Sequence, residues 1–341
     1  MTIKQIDIAV VGAASLAGET VLAMLAERKF PLATLYAVDV VAQSGSHVEY
    51  KDEPLPIHEL ANFDFEQVQL AIFLADAPLA AEYVPKAVAA GCIVVDSSVC
   101  FGYEKDVPLL VPGINDEVIA AFRERMIVAI PSSATCQLLK AIKPIDDAVG
   151  IESLQVTVLQ PVSEAGKAGQ EELGQQTAQL LNFQEAEKTA FPVQVAFNVI
   201  PESGIVLDNG HSTDELNLIK GTHKVLSNDK ISMQALIVTV PVFYGHGVSI
   251  SLRTRDVLGA DKAMKLLDNV PGLKVVTKTG MGRPTPVTDA SGQDDVIIGR
   301  IRAGLSDSEH ELSLWCVADN IRSGLALSSV QTAEILVKDY L

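Results

Sequence analysis

The chain opens with the run IDIAVV (residues 6–11), rich in β-branched residues, which stops at Gly12. Leu22, Leu25 and their flanking alanines then recur at a helical spacing. This pattern predicts strand, glycine turn and helix. ATLYAVDVV (33–41) and VQLAIFLAD (68–76) read as a second and third strand, PLAAEYVPKAVAAG (78–91) as a helix ending at Gly91, and CIVVDSS (92–98) as a fourth strand. Apolar strands alternating with helices over roughly 130 residues predict a doubly wound parallel sheet.

After Gly150 the pattern changes. IESLQVTVLQP (151–161), QVAFNVIPE (194–202), QALIVTVPVF (234–243) and GVSISLRTRD (247–256) alternate apolar with polar positions, as expected of a mixed or antiparallel sheet with one open face. Helical KAGQEELGQQTAQLL (167–181) and STDELNLIKGTHKVL (212–226) interrupt them, and residues 314–341 read as a strand and a closing helix. The expected fold class is α/β. A Rossmann-like doubly wound domain covers residues 1–132 with the C-terminal helix 320–341, and an α+β domain with a large mixed sheet covers 133–319. No internal repeat or low-complexity linker divides the chain.

The 341 residues suit two domains, and 48% hydrophobic residues supply a sizeable core. Lys and Arg number 26 against 43 Asp and Glu, a formal charge of −17, which argues against nucleic-acid binding and leaves any phosphate site to local groups. Cys92, Cys100, Cys136 and Cys316 have no CxxC spacing and no His cluster beside them, so neither a zinc site nor a disulfide framework is expected. A reducing cytoplasm fits that usage. The N-terminus turns polar too early for a signal peptide, and no apolar run of about 18 residues exists to span a membrane.

Candidate chemistry begins at AIPSSATCQLLKAI (129–142), where a Pro-Ser-Ser turn runs into a helical pattern. Helix amides there can stabilise a developing oxyanion, so Ser133 or Cys136 is a candidate nucleophile. Cys136 lies three residues on, about 4.5 Å along a helix axis, and suits a buried apolar role. Gly12-Ala13-Ala14-Ser15-Leu16-Ala17-Gly18 has the context of a dinucleotide-binding turn, with Ser15 where the middle glycine stands; a plain βα turn would read the same way. Asp39, ending the second strand, suits a ribose 2′-hydroxyl and opposes a 2′-phosphate, but taken alone it reads first as a solvated loop acid. Asp76 follows the third strand, where a carboxylate works against a pyrophosphate. Gln160 can orient an attacking group or satisfy loop backbone, and His246 between two glycines can be an acid/base or a structural histidine.

Together, IAVVGAASLAGE, FPLATLYAV, VVDSS, DVPLLVPGIN, QPVSEAGKAGQEEL, AFNVIP, VPVFYGHGVSISL, GRPTPV, GRIRAGLS and LWCVADNIRSGLALSSVQTAEIL resemble the aspartate-β-semialdehyde dehydrogenase family over nearly the whole chain. The resemblance implies a homodimer with an N-terminal nucleotide domain and a C-terminal catalytic and dimerisation domain. It implies, in amino-acid biosynthesis, reductive dephosphorylation of aspartyl phosphate by NADPH through a cysteine thioester. The family turn reads Asn-Pro-Asn-Cys-Ser-Thr-x-Gln; here it is Ile130-Pro131-Ser132-Ser133-Ala134-Thr135-Cys136-Gln137, so the nucleophile position falls on Ser133. The family's phosphate-binding arginine falls on Gly102, its carboxylate-binding arginine on Thr239 and a lysine on Asn217. The NADP-preferring Arg-Ser is missing from AVDVVAQSGS (37–46), and Ser328 replaces an asparagine. Gln160, Glu215, His246, Asn320, Gly324 and Gln331 match. The resemblance implies that Gln160 orients the acyl group, His246 is acid/base, Glu215 contacts substrate, and Asn320 and Gln331 close over the nicotinamide.

Three functions follow as expectations. The favoured one is a paralogue without the parent activity, binding a ligand or partner, with weak or absent NAD or NADP binding. The second is an NAD(P)-dependent oxidoreductase on a less anionic aldehyde or acyl substrate. The third is an acyl hydrolase using Ser133 and His246, although no carboxylate in the sequence is marked to orient His246.

Overall fold

The computed structural model describes residues 5–40, 46–276, 283–305 and 309–341. The chain forms two compact units, Met1–Ser132 with Leu325–Leu341, and Ser133–Gly324.

In the first unit, β1 (Ile6–Val11) and α1 (Leu16–Glu27) flank the glycine turn, followed by β2 (Leu32–Asp39), β3 (His47–Tyr50) and β4 (Glu53–Glu59). β5 (Leu70–Phe73), α2 (Ala77–Ala89), β6 (Ile93–Asp96) and β7 (Ile127–Ala129) complete this stretch. The sheet order is β3-β4-β2-β1-β5-β6-β7, parallel throughout except the β3–β4 hairpin. β5 and β6 are buried at every position, which is why they read as plain apolar runs. The β3–β4 hairpin carries no such signal. Its turn residues Lys51 and Asp52 both have positive φ, and Pro54 and Pro56 lie opposite β3 alone, where a missing N–H costs least.

The sheet order reverses at β1, which pairs with β2 on one side and β5 on the other. A crevice outside the carboxyl ends of such strands is the binding position of an open α/β sheet. Gly12 opens the turn there with φ +82°, and a Cβ on it would lie 2.9 Å from Leu74 O. A side chain would therefore be both strained and crowded.

The second unit begins with α3 (Ser133–Val149) and β8 (Ile151–Gln160), then α4 (Gly166–Leu181), α5 (Thr213–Leu226), β9 (Ser232–Thr239) and β10 (His246–Thr254). α6 (Ala260–Leu267), β11 (Leu273–Val275), β12 (Val296–Ala303) and β13 (Glu311–Ala318) follow. The mixed sheet runs β11-β12-β13-β10-β8-β9, with β8–β9 and β11–β12 parallel. Leu138, Ile142 and Ile145 of α3 pack with Leu154, Val156 and Val158 of β8 and Ile250 of β10 in one apolar core.

QVAFNVIPE does not form the strand its pattern predicts; only an isolated bridge joins Ile200 to Thr239. The Val195 and Ala196 amides both donate to Gln176 Oε1 at 2.9 and 3.0 Å, Phe197 turns at φ +58°, and Pro201 has no N–H. Just upstream, the buried Glu172 of α4 accepts on one oxygen from the Thr189 amide and hydroxyl, each at 2.8 Å, and from the Ala190 and Phe191 amides. Side chains of α4 thus bind backbone that a ladder would otherwise use.

The chain re-enters the first unit at Leu325, not at 320. Asn320 is bonded to Ser163 and Gly245, and Arg322 to Asp294, which keeps this turn with the second unit. α7 (Leu327–Asp339) then packs on α1 and β6, with Arg28 and Glu334 in a two-bond pair and Ser97 meeting Ser329 at 3.0 Å.

Candidate functional site

The crevice of the first unit is a cleft of about 330 Å³ lined by Gly12, Ala14, Ser15, Asp39, Leu74 and Asp76, among others. Ser15 caps α1: its hydroxyl donates to Gly12 O at 2.7 Å and accepts from Gly18 N at 3.0 Å. A Cβ on Gly18 would lie 2.2 Å from Gly12 O, so helix and turn meet on a bare backbone. The turn geometry fits a pyrophosphate. The groups around it are less suited. Asp39 Oδ2 takes the Ala14 amide at 2.9 Å, Asp76 caps α2 through Leu79 N at 3.1 Å, and the lining contains no Lys or Arg among the described residues. Leu16, Ala17 and Gly18 continue into α1 behind this lining, and Gln331 lies partly buried on α7, outside it. Most of the loop assigned to 2′-phosphate recognition, residues 41–45, lies outside the described residues.

In the second unit, Ser133 is the first residue of α3 and His246 the first of β10. Both reach Glu164, in the turn between β8 and α4. Ser133 Oγ donates to Glu164 Oε1 at 2.9 Å, Asn320 Nδ2 donates to the same oxygen at 2.8 Å, and His246 Nε2 stands 3.3 Å from it. Asn320 Oδ1 accepts from Gly245 N at 2.9 Å, which fixes the amide's orientation. Ser133, His246 and Asn320 are 6%, 1% and 1% exposed, whereas the Glu164 side chain is 29% exposed. Three members of the cluster are therefore buried, and the carboxylate they meet reaches solvent.

Neither ring nitrogen of His246 makes a hydrogen bond among the described residues, so the 3.3 Å approach is a charge contact out of hydrogen-bond alignment. Burial pushes the imidazole below its ordinary range, against the opposing fields of Glu164 and Asp319. It is neutral near pH 7. The serine hydroxyl is bonded to Glu164, not to the imidazole.

The other expected residues stand apart from this cluster. Gln160 Nε2 donates to Ser203 Oγ at 2.8 Å, and Ser203 donates to Asp214 Oδ2 at 2.5 Å. Glu215 closes a capping box on α5: Oε2 accepts Ser212 N at 2.9 Å and Oε1 accepts Ile237 N at 3.2 Å. The expectation that Glu215 contacts a substrate meets a carboxylate already holding two backbone amides. Cys136 is fully buried on α3. Thr239 is buried at the end of β9 and donates to Glu202 O at 3.2 Å, and a Cβ on buried Gly102 would lie 3.2 Å from Leu109 Cδ1. Among the described residues no group of three or more His, Cys, Asp or Glu is placed to hold a metal ion, and no helix is long and apolar enough to cross a membrane.

Glu164 was not singled out from the sequence. It lies in a small-residue loop with no local signature, and its role exists only once β8, β10, α3 and the turn after β13 converge.

Residues 7–122 match the family model described as semialdehyde dehydrogenase, NAD binding domain, and residues 142–323 that described as semialdehyde dehydrogenase, dimerisation domain. Aspartate-semialdehyde dehydrogenase 2 of Vibrio cholerae is 41% identical over 337 residues, 99% of each chain. The aspartate-semialdehyde dehydrogenase of Legionella pneumophila is 42% identical over 339 residues, covering 99% of this chain and 97% of that one. The crystal structure of aspartate semialdehyde dehydrogenase II from Vibrio cholerae complexed with ASA superposes with a TM-score of 0.95 at 40% identity, over 99% of this chain and 100% of that one. A probable aspartate-semialdehyde dehydrogenase from Pseudomonas aeruginosa gives a TM-score of 0.93 at 31% identity, over 99% of this chain and 100% of that one.

Proposed function

This chain belongs to the aspartate-semialdehyde dehydrogenase family, and we propose that it keeps the family's scaffold without running the parent reaction. The observation that carries this reading is the state of Ser133: its hydroxyl is given to Glu164 while the buried neutral His246 is not its partner. A thiol near pKa 8.5 is partly thiolate at neutral pH, whereas a serine hydroxyl needs an oriented base. An oxygen ester is also a poorer hydride acceptor than a thioester. The lost cations at Gly102, Thr239 and Asn217 act in the same direction, since each charge-assisted contact contributes about 1.5–3 kcal/mol. A dianionic acyl phosphate then finds neither nucleophile nor clamp.

The role proposed is ligand or partner binding by a homodimer. A nicotinamide dinucleotide would lie on the Gly12–Gly18 turn with its ribose near Asp39, and would supply hydride chemistry when bound; Asp39 and Asp76 make that binding weak. The decisive assay uses protein purified from a host lacking its own enzyme, with aspartate semialdehyde, phosphate and NADP. No turnover above background is expected. Turnover in the ordinary enzymatic range, on the order of 1–10³ per second, overturns the reading. NAD(H) and NADP(H) titrations accompany it, with no saturation expected below about millimolar, the upper end of ordinary KM values.

The Ser133–Glu164 contact favours one further reading, an acyl hydrolase in which the carboxylate takes the serine proton. Labelling of Ser133 by a fluorophosphonate would support it. Equal unreactivity of the wild type and Ser133→Ala toward that probe and p-nitrophenyl esters removes it.

A further inference from the structure

We propose that Ser133, Asn320 and His246 form a binding site for a small monocarboxylate, and that Glu164 fills it as the chain's own ligand. The proposal deepens the reading above, in which this centre no longer performs the parent chemistry.

The geometry is that of a receptor for one oxygen. Two donors, Ser133 Oγ at the start of α3 and Asn320 Nδ2 in the turn after β13, meet Glu164 Oε1 at 2.9 and 2.8 Å, and His246 Nε2 at the start of β10 stands 3.3 Å from the same oxygen. The set is held from behind. Asn320 is oriented by Gly245 N, and a Cβ on Gly324 would lie 2.5 Å from Ser133 Cβ, so that glycine packs directly on the serine. The burial is one-sided: Ser133, His246 and Asn320 are 94% or more buried, and Glu164 alone of the four reaches solvent.

His246 supplies the second mark. Its ring is 99% buried, its nitrogens lack any hydrogen-bond partner among the described residues, and Nε2 faces the point where the two donors meet. A buried polar group left unsatisfied is costly, and a ligand oxygen free to align with the ring removes that cost. Glu164, tied to its own turn, reaches the point but not the alignment.

The chemistry selects the ligand. Formate or acetate presents the same oxygen and charge as the side chain it would replace. A dianion brings a second charge, and the groups contacting Glu164 include no Lys or Arg to meet it. An internal carboxylate competes at an effective concentration of about millimolar or more, so the wild-type site is closed to dilute external acid.

The test is a titration of wild type, Glu164→Ala and Glu164→Gln with ¹³C-acetate, read by NMR from the ligand and from the His246 ring protons. Glu164→Ala is expected to bind acetate at least about tenfold more tightly than wild type, with shifts at His246. Glu164→Gln keeps an acceptor oxygen in place and is expected to stay near wild type. Adding Ser133→Ala to Glu164→Ala abolishes the gain, and inorganic phosphate at equal concentration does not displace acetate. Glu164→Ser is the second cavity-opening variant, read in the same way if the alanine variant does not fold. The proposal is overturned by no gain in either opened variant, by an equal gain in Glu164→Gln, by a gain that survives Ser133→Ala, or by displacement with phosphate. No turnover is measured, so this result stands separately from the dehydrogenase assay.

Discussion

At the residue scale, the centre turns on one carboxylate. Ser133 and His246 were legible because each sits in an unusual local text, a Pro-Ser-Ser turn before a helix and a histidine between glycines. Glu164 was not, because a charge in a loop acquires meaning only from what folds against it. Ser133→Cys alone is therefore expected to leave aspartate semialdehyde unturned, because Glu164 still occupies the donors and the cation positions stay empty of charge. Combining it with Gly102→Arg and Thr239→Arg restores the missing groups in composition. Both positions are buried, so recovery is expected only where these arginines are accommodated, and a full recovery by Ser133→Cys alone in the coupled NADP assay would contradict the cation argument. A second prediction concerns pH. The folded imidazole of His246 lies below its unfolded value of about 6.5, so the unfolded chain binds the proton more readily. That contribution to stability is intact above about pH 6.5 and is lost as pH falls through it. Melting temperatures at pH 7.5 and 5.5 should drop more for wild type than for His246→Asn, and equal drops would refute the assignment.

At the scale of elements, periodicity found strands β1, β2, β5, β6, β8, β9, β10 and β13 and helices α1, α2, α4, α5 and α7. It missed β3 and β4, whose residues are polar and proline-bearing, the three-residue β7, and α6, β11 and β12. It also placed a strand at 194–202, where side chains of α4 take the amides instead. Polar side-chain capture of backbone leaves no period to detect. Glu172 bears most of that work upstream. Its carboxyl is held below the usual range by the Ala190, Thr189 and Phe191 donors, which outweigh its burial. Glu172→Gln is expected to cost about 1–3 kcal/mol in chemical denaturation. Above the ordinary carboxylate pKa of about 4.3 the tie is complete, and it weakens as pH falls through the lower folded value, which hydrogen exchange at residues 189–191 would follow. Gly324→Ala is expected to cost about 1–3 kcal/mol through its clash with Ser133, measured in the same way.

At the scale of the molecule, the −17 charge coexists with exposed apolar side chains at Phe197, Val199, Ile205, Val206, Leu236 and Phe243, all in the unit whose family model is a dimerisation domain. Apolar groups gathered on one unit of so acidic a protein suit a second copy better than bulk water. Sedimentation at micromolar protein is expected to give a dimer, and Leu236→Asp with Val199→Asp a monomer; an unchanged dimer would place the interface elsewhere.

The division of the chain carries one more consequence. The nucleotide-type unit is assembled from two separate segments, residues 1–132 and 325–341, and α7, which packs on α1 and β6, follows the whole second unit along the chain. During translation its seven-stranded sheet must wait, partly uncovered, while the ribosome completes the whole intervening body. The first of the two units to be synthesised is thus the last to be finished, and a nascent chain stalled before Leu325 would leave α1 and β6 without the helix that packs on them.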